Sequence, residues 1–423
     1  MTLSSTGTLR SLRSHNYRLW AISAFVSNVG TWMQRVAQDW LVLAVLTHGA
    51  ATSVGIVTAL QFAPQILLLP LTGSAAEYLD RRKLLIATQG AMVVLALGLG
   101  LLTVSGVVRL WEVYVFAFLL GCATAFDAPA RQVFVSELVG DADLSNAVAL
   151  NSTSFNAARM IGPAISGALI AAVGIGWSFL VNGVATLAVV AALFSLRVSE
   201  LHRSTDGPRP AGGFVAALRY LYKRPDLQAV LVMLALFGAF GLNFPVFIST
   251  MAVNVFHVDA NHFGLLTSAM AIGSVTGAVL AARRESPKLA FIIAGAALFS
   301  TGLAVAALMP NYWLFGAVLV VVGVSAQTVT TSAIGLVQLA TERHMRGRMM
   351  ALLMAITLGS AAIGGPILGW VADLAGPRWA LGVAAAAAAA GAAIGLAHVR
   401  RERREAAANA ALGGSEAASV PPS

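Results

Sequence analysis

Arg35 and Asp39 stand four residues apart in one apolar run, and Arg159 stands in another. Residues four apart share a helix face, so this guanidinium and carboxylate can meet. Gln34 and Gln38 lie beside them and widen the polar face. A charge in hydrocarbon costs about 2.5–3.5 kcal/mol even on a lenient insertion scale, so such residues pair or work. A carboxyl in low dielectric holds its proton more tightly, and a neighbouring guanidinium loosens it. Asp39 therefore reads as a proton-coupling group with Arg35 beside it. Arg159 reads as the group that senses Asp39 or an anionic substrate. Plainer readings stand next to these: a permanent Arg35–Asp39 bridge, substrate contact without proton work, and an Arg159 that snorkels to an interface.

Further polar side chains fall in apolar runs. Gln61 and Gln65 are four apart, and Asn151 and Asn156 precede Arg159. The later half offers Asn243 beside Pro245, then Gln327 with Thr328, Thr330 and Thr331, and the rings of Phe240 and Phe244. These suit neutral contacts to a lipophilic ligand, and each also suits plain packing. Asp127 and Arg131, again four apart, read as gate or end-cap structure. Cys122 is the single cysteine and reads as packing. His257 and His262 have no carboxylate–cysteine cluster, so no metal site is expected. Lys occurs at 83, 223 and 288, never after Gly, so there is no phosphate-binding loop and no ATP hydrolysis. No catalytic residue and no cofactor is expected.

Elements that could hold such residues follow from composition. Of 423 residues, 58% are hydrophobic and 11% charged, and mean hydropathy is +0.80. Soluble domains carry about 25% charged residues. That excludes a soluble enzyme, a disordered chain and a disulfide scaffold, and points to a polytopic membrane protein built of spans of about 20 residues. Charged punctuation divides the chain into twelve expected spans: 19–47, 52–76, 84–108, 111–128, 147–173, 175–196, 227–252, 263–282, 289–309, 312–334, 349–372 and 379–399. The opposite loops hold only Arg109 and Arg378, and Arg35 and Arg159 lie inside spans. All other Lys and Arg fall on one side, which the positive-inside rule places in the cytoplasm with both termini. The net charge of +9 is thus a matter of lipid-facing loops, not of nucleic acid. The N-terminal residues lack the short apolar core of a cleaved signal.

The expected organisation is a cytoplasmic segment (1–18), a six-helix bundle (19–196), a linker with an interfacial helix (197–226), a second bundle (227–399) and a disordered cytoplasmic tail (400–423). The halves repeat weakly. Gly55-Ile-Val-Thr58 answers Gly264-Leu-Leu-Thr267, and Gly162-Pro163 answers Gly365-Pro366. Duplicated halves that rock about a central site are a mark of secondary transporters.

The stretch Gly73-Ser-Ala-Ala-Glu77-Tyr-Leu-Asp80-Arg81-Arg82-Lys83 resembles the loop signature of the major facilitator superfamily, with Glu77 for the usual Asp and Tyr78 where Arg is common. Gly162-Pro163-Ala-Ile-Ser166-Gly167 resembles the antiporter helix-bend signature, with Ser166 for a glycine. Trp32-Met-Gln-Arg35, Gln38-Asp39-Trp40, Ala125-Phe-Asp127-Ala-Pro129-Ala-Arg131 and Gln338-Leu-Ala-Thr-Glu342 narrow the likeness to the drug:proton antiporter branch that includes the enterobactin exporter and macrolide-efflux-type proteins. The resemblance implies an all-α fold of twelve membrane helices in two pseudo-symmetric bundles, with helices 1, 2 and 5 facing the cavity. It implies a cytoplasmic gate at Gly73, Glu77, Asp80, Arg81 and Arg82, and a bend at Gly162, Pro163 and Gly167. It further implies a monomeric, proton-coupled exporter of lipophilic or amphipathic molecules such as drugs or siderophores, working by alternating access in the inner membrane. A lipid or lysolipid flippase of the same fold, or a transport-inactive sensor or assembly protein, is the alternative.

Overall fold

The computed structural model describes residues 9–418 except 70, 73–74, 76–78, 203–212, 285 and 343. Among these residues there is helix and no strand. The first set of helices is α1 (His15–Trp40), α2 (Ala51–Leu67), α3 (Arg81–Val104), α4 (Leu110–Val139), α5 (Asp141–Val173) and α6 (Ile175–Ser195). A short helix, α7 (Gly213–Tyr222), follows where an interfacial helix is expected. The second set is α8 (Pro225–Leu236), α9 (Phe244–Thr250), α10 (Ala260–Ala282), α11 (Leu289–Leu308), α12 (Tyr312–Ala340), α13 (Arg346–Ala375) and α14 (Pro377–Ala418).

Ten described stretches are long and apolar enough to cross a membrane, with α8 and α9 counted as one stretch, Pro225–Val255. The other two expected spans correspond to α1, diluted by its polar side chains, and α2, which has 17 described residues. The tail expected to be unstructured begins as a continuation of α14, where alanine, the strongest helix former, is frequent.

Local chemistry sets the ends. Asp80, Asp259 and Asn311 each accept a hydrogen bond from a backbone N–H three residues on, at 3.0 Å, and so cap α3, α10 and α12. Gly174 and Gly376, both at φ +101°, stop α5 and α13. Wide π-turns close α1 (Leu41–Leu46) and follow α9 (Met251–Val255), and a third (Phe237–Gly241) parts α8 from α9. After the first two, His48 (φ 51°) and His257 (φ 50°) take the left-handed conformation, 209 residues apart. The backbone repeats itself at the spacing of Gly55 and Gly264.

Within the first set α1 lies on α5 and α6, α3 on α6, and α2 on α4. Within the second set α10 lies on α12, and α11 on α12 and α14. The sets meet along two seams, α2 against α13 and α5 against α10. Glycines make both seams close: a Cβ on Gly369 would stand 2.6 Å from the Ala51 carbonyl oxygen, and one on Gly167 2.7 Å from that of Ala260.

One end of the bundle carries the start of α1. There Asn16 exchanges hydrogen bonds with the backbone of Arg197 at 3.0 and 2.9 Å, and Arg10 pairs with Asp143 at 2.9 Å. We call it the terminal end. At the far end Asn254 donates to the Gly49 carbonyl at 2.9 Å.

Candidate functional site

A cavity of about 390 Å³ lies among α1 to α6. Its walls include Gln34, Arg35 and Gln38 of α1, Gln61 and Gln65 of α2, and Asn151 and Asn156 of α5. The sequence marks these seven because polar groups in apolar runs need a reason. The cavity runs from Gln38 and Gln61 toward Gln89, Asp127 and Asn151, nearer the terminal end.

Amide hydrogen bonds stitch the walls. Gln61 Nε2 donates to Gln38 Oε1 at 3.3 Å, and Gln65 Nε2 to the Gln61 carbonyl at 3.1 Å. Asn182 of α6 donates to Gln34 Oε1 at 2.5 Å. Thr186 continues this line to Ser27 at 3.3 Å. Gln38 Nε2 and Gln89 Oε1 are buried without a hydrogen-bond partner among the described residues. An unmet buried polar atom costs about 1–3 kcal/mol, so both call for a water molecule or a polar guest.

Arg35 and Asp39 form no ion pair. Arg35 instead lays its guanidinium 4.9 Å from the centre of the Trp32 ring. Arg159 approaches the same ring from α5 at 5.4 Å, and Phe155 meets it edge-on at 5.8 Å. Each cation gains about 0.5–2 kcal/mol from the indole face. The two arginines thus share one aromatic rest. Asp39 and Arg159 do not line the cavity. Next to Asp39, Trp40 stacks on Phe263 of α10 across the seam, with ring centres 5.7 Å apart.

Asp127 is built into structure. Its buried carboxylate accepts from Thr88 at 3.0 Å, Gln89 at 2.7 Å and Arg131 at 3.0 Å. Arg131 rests in turn on the Trp20 ring at 5.2 Å. At the terminal end Arg81 pairs with Glu137 of α4, and Arg82 donates to the last carbonyls of α6 at 2.7 and 3.3 Å. Gly73 and Glu77, the other residues of that motif, lie outside the described residues. In the bend motif, Gly162 faces Trp32, Pro163 lies inside α5, and Gly167 meets Asn261. Ser166, in place of a glycine, donates to the Met33 carbonyl at 2.9 Å.

Asn243 and Gln327 do not join this cavity. Asn243 is buried at the α8–α9 break and donates to the Ala239 carbonyl at 2.6 Å, satisfying backbone that the break frees. Gln327 bonds Thr331 one turn along its own helix at 3.0 Å. Sequence reasoning missed Asn182 and Gln89 as cavity groups. The signal was there for Asn182, a lone amide in an apolar run.

The family model described as transmembrane secretion effector matches residues 6–417. The multidrug efflux pump Tap of Mycolicibacterium fortuitum is 25% identical over 84% of this chain and 88% of its own length. The enterobactin exporter EntS of Citrobacter koseri is 24% identical over 86% and 88%. The staphyloferrin A transporter of Staphylococcus aureus is 26% identical over 60% of this chain and 63% of its own length. Among solved structures, a bacterial homologue of the human lysosomal transporter Spinster, inward-facing and unoccupied, superposes with TM-score 0.74 at 13% identity, covering 91% of this chain and 97% of that one.

Proposed function

The chain belongs to the transmembrane secretion effector family of the major facilitator superfamily, and from that membership we propose that it exports small lipophilic or amphipathic molecules in exchange for protons. It is a transporter and not an enzyme. The observation that carries the reading is the cavity itself: amide walls, one exposed guanidinium and two unmet polar atoms, set beside two glycine-lined seams.

In this reading α1 and α2 complete a set of twelve spans. Residues 19–196 and 227–399 form the two bundles, joined through 197–226. Both termini are cytoplasmic, as the Lys and Arg distribution favours. The terminal end is then the cytoplasmic end, and the cavity loads from the cytoplasm. Asp39 carries the proton. It sits beside Trp40, whose ring bridges to the second set, so a change of charge there acts on the α5–α10 seam. The relatives named as exporters of drugs and of siderophores support outward movement of the substrate.

The test uses inverted membrane vesicles with an acid interior, a panel of dyes, antibiotics and siderophores, and wild type beside Asp39→Asn. Substrate-dependent collapse of the pH gradient in wild type alone supports proton exchange through Asp39. Equal collapse in both keeps the exchange and removes Asp39 from it. No collapse with any compound counts against the exporter and turns attention to lipid flipping or a role without transport.

A further inference from the structure

The helices that begin at the far end and form the seams, α2 and α10, start differently. Position 259 stands 209 residues after position 50, the same interval that separates His48 from His257 and Gly55 from Gly264. Position 259 is Asp, and its side chain caps α10 from within. Position 50 is Ala, which has nothing to cap with, although its backbone (φ −72°, ψ 100°) suits a capping residue.

The cap of α2 comes from the other set. Asp373, near the end of α13, accepts from the Ala51 N–H at 2.6 Å, the Thr52 N–H at 2.9 Å and the Thr52 hydroxyl at 2.6 Å. A carboxylate at a helix N-terminus satisfies orphan donors and opposes the helix dipole. At the other seam, the stretch equivalent to Asp373 is apolar, around Ile170 and Ala171. Asn254, also in the second set, grips the Gly49 carbonyl beside it. Gly49, at φ +112°, takes a conformation that side chains rarely adopt, and a Cβ there would stand 3.0 Å from Asn254 Oδ1.

We propose that Asp373 is the positioning residue of a far-end latch: by capping α2 across the seam it holds that end shut, and each opening of the far end leaves the first turn of α2 uncapped. Asp373 is exposed, so water can replace these bonds once the seam parts, as a latch that opens in every cycle requires. Asp259 cannot act this way, because its cap travels with its own helix. The inference rests on the alternating-access reading above, but its test needs no substrate.

The test is a distance measurement in full-length protein in lipid nanodiscs. Spin labels at S105C and P310C, in a C122S background, report the gap between the two sets at the far end. D373A is expected to raise the population with the wider distance about tenfold. The decisive variant is D373A/A50D, which gives α2 a cap of its own. A latch predicts that it stays wide, because the helix is capped but the sets are not joined. Return to the parent distribution would overturn the proposal and leave Asp373 as a stabiliser of α2 alone. No change in D373A would also overturn it. Should D373A fail to fold, T52A removes one of the three bonds and is expected to shift the population about two- to threefold, and no shift would count against the latch. A transport assay that fails while the distances behave as stated would sink the exporter reading and leave the latch standing.

Discussion

Gly264 packs against the carbonyl oxygen of Pro163 with no space for a side chain, and 209 residues earlier Gly55 packs in the same way against the carbonyl of Gly365. Each half thus presses its glycine onto the Gly-Pro bend of the other. The exchange explains why two short sequence matches fall at nearly equal spacing. They are the two sides of one repeated contact.

Gly264→Ala is expected to destabilise the protein by about 1–3 kcal/mol, because the added methyl meets backbone that cannot move aside. Gly90→Ala is the contrast. Nothing lies within 4 Å of a Cβ there, and alanine in a helix interior gains up to about 1 kcal/mol over glycine. Thermal unfolding in detergent should give opposite signs for the two variants.

Asp127→Ala should lower stability by about 1–3 kcal/mol, since it removes the acceptor of Arg131 and Gln89 at the cavity wall. The double change Asp127→Ala with Arg131→Ala should cost less than the sum of the two single changes. A double-mutant cycle in denaturant reads the coupling, and additive values would argue against a structural pair.

Asp259 lies outside the membrane helices. Hydrogen bonds from the His262 backbone N–H, and then from its side chain, hold the carboxyl below the usual carboxylate range. A depressed folded-state value stabilises the fold above the unfolded value of about 4 and loses that benefit as pH falls through the folded value. Wild type should exceed Asp259→Ala by about 1 kcal/mol at neutral pH. The gap should narrow as pH falls below the usual carboxylate range and through the folded value, which unfolding at several pH values would follow.

Trp32 is the shared rest of two cations. Trp32→Phe keeps a ring face and should change transport little. Trp32→Leu frees both guanidinium groups and should raise the KM for a transported substrate about tenfold, given a cation–π contribution of about 0.7 kcal/mol for each arginine. Equal effects of the two variants would assign Trp32 to bulk alone.

The α-helical class and most of the cavity wall are legible in the sequence. A glutamine or asparagine in an apolar run is costly, and helical spacing puts Gln34, Gln38, Gln61 and Gln65 where they can share a face. Spacing is blind to what crosses between helices. Four-residue separation pairs Arg35 with Asp39, yet the guanidinium chooses an aromatic ring that Arg159 reaches from another helix. The same spacing works for Asp127 and Arg131, whose pair closes within one helix. Asn243 donates to the Ala239 carbonyl at the break between α8 and α9, a local contact that residue spacing does not show. Glu137 as the partner of Arg81, and Asp373 as the cap of α2, depend on contacts more than fifty residues away in the chain.

The π-turns that close α1 and follow α9 each carry one residue more per turn than an α-helix. They stand at equivalent places in the two halves, each ending two residues before a histidine, His48 and His257. Such a turn is slack in the chain: it can wind tighter by passing its surplus residue along, without pulling on the loop beyond. Each half therefore has a wrist at the far end, where its first span can change pitch without straining the loop beyond.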